Sequence, residues 1–157
     1  MAPSLDSVDL RLLEALQTDA DRTNVELARL VGLSPAATLH RVRRLKESGI
    51  VRAVVAQLDP TAAGFPLAVY VLVTLERHDE QAHRRFAQAV RAMPEVISAD
   101  WVTGETDALL HVVAREVAEL QRVLVRLSTR GGAARVTTLL HLEELKPVSP
   151  LPLALER

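Results

Sequence analysis

The chain contains no cysteine, which excludes disulfides, thiolate nucleophiles and Cys-type zinc sites together and fits a reducing cytoplasm. It also lacks a charge excess: 19 basic and 20 acidic residues leave a net charge of −1. That argues against indiscriminate coating of nucleic acid but leaves room for a local basic face. Long apolar runs are missing too. The longest, Phe65 to Val73, is far short of the roughly 20 residues that span a membrane. The opening MAPSLDSVDL has no basic region followed by an apolar one, so no signal peptide is expected, and the reading is a soluble cytoplasmic protein without a membrane partner.

Catalytic signatures are absent as well: no nucleophile elbow, no phosphate-cradling glycine motif and no H-E-x-x-H. His78 and His83 are five residues apart near a helix start and share no face, so they form no metal pair. His111 and His141 fall on strands not expected to be neighbours, each as a core or interface residue with one hydrogen bond. Neither a metal, a cofactor nor an enzymatic activity is expected. With 48% hydrophobic residues in a chain of 157, there is ample material for a packed core in one domain or two.

What is present centres on Leu33 to Gly49, LSPAATLHRVRRLKESG. Ser34 can cap a helix, Pro35 suits its first position, and Gly49 suits the left-handed residue that closes it. Leu39, Val42 and Leu45 form the expected inward stripe, while Ala36, Ala37, His40, Arg41 and Arg44 project from the other side. A helix that is small at its start and basic further on can enter a DNA major groove N-terminus first, its early residues at base edges and its later arginines at phosphates. An ordinary solvated amphipathic helix has the same pattern.

The neighbours raise the DNA reading. A helix from about Ser7 to Asp19, capped by Asp6 or Ser7, carries Val8, Leu10, Leu12, Leu13 and Leu16. A second, Val25 to Val31, is capped by Thr23 or Asn24, turns Leu27, Ala28 and Val31 inward, and breaks at Gly32. Two helices and a glycine turn leading into a basic helix follow the order of a helix-turn-helix. The β-branched Ile50 to Leu58 reads as a strand, and Asp59 to Gly64 as a turn.

From Pro66 the pattern changes. Pro66 to Leu75 reads as a central strand covered on both faces. There follow a helix over Glu80 to Met93, strands over Val96 to Val102 and Ala108 to Ala114, a helix over Val117 to Leu127 and a strand over Ala134 to Leu142. The fold class is therefore α+β: an N-terminal, winged-helix-like helix-turn-helix domain (1–49), a strand and turn linker (50–64), and a C-terminal βαββαβ ferredoxin-like domain (65–157). Its helix-free sheet face would leave an apolar patch in water, which argues for at least a homodimer.

The ordered set Leu5-Asp6…Asp9…Leu12-Leu13, Glu26-Leu27-Ala28, Val31 to Ser34, Arg41 to Leu45, Gly49-Ile50, Leu58-Asp59-Pro60…Gly64, Gly104-Glu105…Asp107, Lys146 and Leu151-Pro152-Leu153 resembles the Lrp/AsnC (feast/famine) family of transcription regulators. The resemblance covers nearly the whole chain. It implies a homodimer, often assembled into octamers, that binds double-stranded DNA and takes a small effector, commonly an amino acid, at an interface between dimers. The effector loop of such proteins looks like Thr103, Gly104, Glu105, Thr106 and Asp107 here. Backbone N–H groups near Gly104 can hold a carboxylate, and Asp107 can receive an ammonium. Equally, Gly104 can serve a tight turn and Asp107 can satisfy the backbone there. Many relatives carry an aromatic beside this aspartate, whereas this chain has Thr106 and Ala108.

The expected DNA-facing set is Ala36, Ala37, His40, Arg41 and Arg44, with Ser34 and Arg43 nearer to phosphates. Two alternatives share the architecture: a tetrapyrrole (siroheme-type) decarboxylase, against which the intact basic helix stands, and an amino-acid sensor module that does not bind DNA.

Overall fold

The computed structural model describes residues 4–153. In chain order the elements are α1 (Ser7–Thr18), α2 (Asn24–Val31), α3 (Pro35–Glu47), β1 (Leu67–Leu75), α4 (Glu80–Arg91), β2 (Val96–Trp101), β3 (Ala108–Ala114), α5 (Val117–Thr129) and β4 (Ala133–Leu140). They form two compact units, one of residues up to 56 together with the tail from 146, the other of residues 57–145.

In the first unit each helix starts where a side chain replaces the missing backbone acceptor. Asp6 and Thr23 build capping boxes with Asp9 and Glu26, and Ser34 caps α3 ahead of Pro35. Leu12, Leu13, Ala15, Leu27, Val31, Val42 and Leu45 close a common core. Burying Leu12 and Leu45 fully stabilises by roughly 1.5–3 kcal/mol each.

The inward stripe of α3 differs from expectation. Thr38, Val42 and Leu45 are buried, and Leu39 is 43% exposed. Thr38 can be buried because its hydroxyl donates to the Ser34 carbonyl at 3.0 Å and needs no water. Leu39, one position on, turns to the flank.

Residues 50–58 form no strand. Their β-branched composition favours extension, but a ladder needs a second strand, and among the described residues this segment pairs with none. Val54, Val55 and Leu58 are left exposed. The following turn is as expected: Asp59 Oδ1 accepts the Ala62 N–H at 3.1 Å, and Gly64 is left-handed at φ 91°.

The tail also departs from expectation, since it belongs with the first unit rather than with the βαββαβ domain. Leu153 packs on the helical core. The Gln17 amide brackets the Leu151 backbone, with Nε2 donating to the carbonyl at 3.3 Å and Oε1 accepting the N–H at 2.6 Å.

The second unit is a four-stranded antiparallel sheet in the order β2-β3-β1-β4, so the two central strands are β1 and β3. Paired residues such as Val71 and Leu110, or Val69 and Val112, point to the same face and bury against Phe86 and Val90 of α4 and Val123 and Leu127 of α5. Burial along β1 therefore alternates, and the expected cover on both faces is not found: Tyr70 is 37% exposed on the side without helices. Opposite Tyr70 on β3 lies His111, with ring centroids 4.8 Å apart, and His141 sits just past β4 at 6.4 Å from His111. These histidines are on non-adjacent strands, as anticipated, but His111 Nε2 is buried without a hydrogen-bond partner instead of holding one. Burial, with His141 beside it, pushes the His111 imidazole below its ordinary value.

Candidate nucleic-acid interface and ligand loop

The turn that aims α3 is built by local chemistry. Gly32 adopts φ 74°, its N–H and that of Leu33 both reach the Ala28 carbonyl, and Asn24 Nδ2 donates to the Pro35 carbonyl at 2.7 Å. Ser34 Oγ accepts the Ala37 N–H at 3.2 Å. On the exposed side of α3 stand Ser34, Ala36, Ala37, His40 and Arg43, with Leu39 and Lys46 at the edges. This surface has small residues at its N-terminal end and cations further along.

Arg41, expected on that face, lies elsewhere. Its Nη1 donates to Asp6 Oδ2 at 2.6 Å and to Asp9 Oδ1 at 2.9 Å. Arg44 is intermediate: Nη2 donates to Asp9 Oδ2 at 2.6 Å, while its side chain stays 53% exposed. Asp9 itself is fully buried. The Asp9 N–H, then the Arg41 guanidinium, hold the Asp6 carboxyl below the usual range, and Asp6 and Asp9 raise the Arg41 guanidinium. The sequence reading assigned Asp6 to capping and Asp9 only to the resemblance. Asp9 stands three residues after the cap, where its carboxylate closes a capping box, and nothing in the local sequence shows that it is buried against two arginines.

The Thr103–Asp107 segment joins β2 to β3. Thr103, Gly104 and Glu105 are exposed, and Gly104 has φ 128°. Asp107 donates its N–H to the Val73 carbonyl at 2.8 Å, and its Oδ2 accepts the Leu75 N–H at 2.8 Å. His78 Nε2 lies 3.1 Å from the same oxygen, a neighbour the sequence reading did not foresee. The backbone-satisfying role of Asp107 is thus present, and both hydrogen bonds to the carboxylate fall on Oδ2. Among the described residues no hydrogen bond reaches Oδ1. Of the remaining chemistry-bearing residues, Asp79 caps α4 by accepting the Ala82 N–H at 2.8 Å. His83 packs beside Trp101. Among the described residues no group of three or more potential metal ligands occurs, and no helix is long and apolar enough to cross a membrane.

A helix-turn-helix unit with an exposed small-then-basic third helix, and a ferredoxin-like unit with a glycine-aspartate loop, define a DNA-binding transcription regulator with a ligand-binding domain. The chain belongs to the Lrp/AsnC family: residues 68–151 match the Lrp/AsnC ligand binding domain, and residues 5–52 a winged helix-turn-helix DNA-binding domain. It is 36% identical over 151 residues, 96% of this chain and 88% of the relative, to the HTH-type transcriptional regulator AldR of Mycolicibacterium smegmatis. It is 36% identical over 143 residues, 90% and 92% of the two chains, to the leucine-responsive regulatory protein of Rhizobium meliloti. In structure it is similar to a Neisseria meningitidis transcriptional regulator solved as its L-Met complex, with a TM-score of 0.86 at 35% identity over 95% of this chain and 97% of that one. These relatives are named as regulators, and the chain is a regulator, not an enzyme.

Proposed function

We propose that the chain is a cytoplasmic, sequence-specific regulator whose DNA binding or assembly responds to an amino acid. The carrying observation is the outward face of α3, where Ala36, Ala37, His40 and Arg43 are exposed at the end of a correctly capped helix-turn-helix. In this reading His40 and Arg43 reach base edges or phosphates, Ser34 and Arg44 reach phosphates, and the two alanines allow close backbone approach and touch thymine methyls. Arg41 is assigned to the α1 contact and not to DNA.

The effector is proposed to sit at Thr103, Gly104, Glu105, Thr106 and Asp107, its carboxylate on backbone N–H groups near Gly104 and its ammonium on Asp107. The L-Met complex of the Neisseria meningitidis relative supports an amino acid here. Thr106 makes a smaller wall than an aromatic would and leaves room for a different or bulkier ligand, while Ala108 is buried in the sheet core. The helix-free sheet face around Tyr70 and Leu72 supports a homodimer, with octamers as the higher assembly, and a dimer would present two α3 helices to paired half-sites. Effector and DNA affinities would then be coupled by one reciprocal factor.

The test is a fluorescence titration of the intact protein with the duplex upstream of its own gene and with a scrambled duplex, joined to a thermal-shift screen of the twenty amino acids with and without that DNA. Preference for the upstream duplex, and an amino acid that raises the midpoint by mass action, are expected. Equal weak binding to both duplexes would leave a sensor that acts without DNA.

A further inference from the structure

Asp9 is the only charged residue that is fully buried among the described residues, and its carboxylate gathers two guanidinium groups and one backbone N–H. Arg41 approaches Oδ1 at 2.9 Å, Arg44 approaches Oδ2 at 2.6 Å, and the Asp6 N–H reaches Oδ2 at 3.3 Å. A carboxylate removed from water needs such partners, so part of this arrangement serves stability. The two arginines are nonetheless treated differently. Arg41 also binds Asp6, and its side chain is 28% exposed. Arg44 touches Asp9 through Nη2 alone and stays 53% exposed, which leaves Nε and Nη1 of its planar fork unengaged by this contact.

We infer that Asp9 is a positioning residue for DNA recognition: it withdraws Arg41 from the phosphates and holds Arg44 with one edge on α1 and the other open toward DNA. The inference rests on the DNA-binding reading of α3. Two physical consequences follow. A guanidinium already tied at one nitrogen loses less rotamer freedom when it meets a phosphate, which favours one register on the duplex. Two of the four cations of α3 are also partly neutralised, so the sequence-independent, counterion-driven attraction is held down relative to base readout.

The measurement is the slope of log K against log salt for the full chain, on the upstream and on a scrambled duplex, with folding checked by circular dichroism. Arg41→Gln should leave the slope unchanged, and Arg44→Gln should reduce it by about one per α3 engaged. Asp9→Asn, which keeps the shape but removes the charge, should steepen the slope on both duplexes and lower the upstream-to-scrambled affinity ratio about tenfold. A folded Asp9→Asn protein with wild-type slope and ratio would overturn the inference, because a purely structural residue predicts that result. If Asp9→Asn does not fold, the two arginine variants decide alone: equal slope changes overturn the assignment, unequal ones support it. A wild-type protein that retards neither duplex overturns the DNA reading itself, an outcome distinct from equal arginine slopes on bound DNA.

Discussion

The Leu75 N–H donates to Asp107 Oδ2 at 2.8 Å, a bond from the end of one central strand to the loop preceding the other, across 32 residues of sequence. One carboxylate therefore closes the sheet end, and its second oxygen is the proposed contact for the effector ammonium. The two roles separate by substitution. Asp107→Ala should destabilise the protein by roughly 1–3 kcal/mol, as an acceptor for a part-buried N–H is lost. Asp107→Asn should keep that acceptor and most of the stability while losing the amino-acid-induced thermal shift. Denaturant unfolding of both variants, with the ligand screen repeated on the second, checks this. A normal ligand response in Asp107→Asn would remove the carboxylate from the effector site.

The two leucines of α3 make a second comparison. Leu45 is 1% exposed and Leu39 is 43% exposed. Leu45→Ala is expected to cost about 2–5 kcal/mol, through lost burial and a residual cavity. Leu39→Ala should stay within about 0.5 kcal/mol. Urea midpoints at constant m-value decide, and equal losses would restore the Leu39, Val42, Leu45 stripe.

Capping of α3 bears on DNA presentation as well as stability. Ser34→Ala removes the acceptor of the Ala37 N–H and should cost about 1 kcal/mol, whereas Ser34→Asp should retain most of it while placing a negative charge where a phosphate is proposed to approach. The expected signature is near-native stability with weakened DNA binding in Ser34→Asp, read by thermal unfolding and by titration with the upstream duplex.

His111 supplies a pH dependence of defined sign. Burial, then the neighbouring His141, lowers its folded-state pKa beneath the unfolded value of about 6.5. The neutral form is thus the one that folding favours. Its contribution is complete above about pH 6.5 and declines as pH falls toward the folded pKa, because the unfolded chain then binds the extra proton. Tyr70 packs beside both imidazoles, which also meet edge to face, and offers no counter-charge. The thermal midpoint should fall between pH 7 and pH 5, and His111→Gln should flatten that fall. An unchanged slope in the variant would place the titrating group elsewhere.

Local interactions made much of the structure readable from the chain alone. Asp6, Thr23 and Ser34 as caps, Pro35 at the first helical position and left-handed Gly32 and Gly49 each depend on hydrogen bonds within one turn of backbone, so residue type and spacing suffice. The strand and helix order of the second unit followed from a change of hydrophobic period, and the candidate loop at Gly104 and Asp107 from turn chemistry together with the family resemblance.

What only the tertiary structure decided are pairings whose partners lie far apart in sequence. Asp9 meets Arg41 and Arg44 across 32 and 35 residues, and Gln17 holds Leu151 across 134. Helical periodicity places Arg41 and Arg44 opposite the presumed stripe but cannot say that α1 will bury a carboxylate against that flank. That depends on the rotation at which α1 and α3 pack, which shifted the stripe from Leu39 to Thr38. Residues 50–58 show the same limit in reverse: their β-branched side chains extend the backbone, but a strand exists only where a second backbone comes within hydrogen-bonding distance.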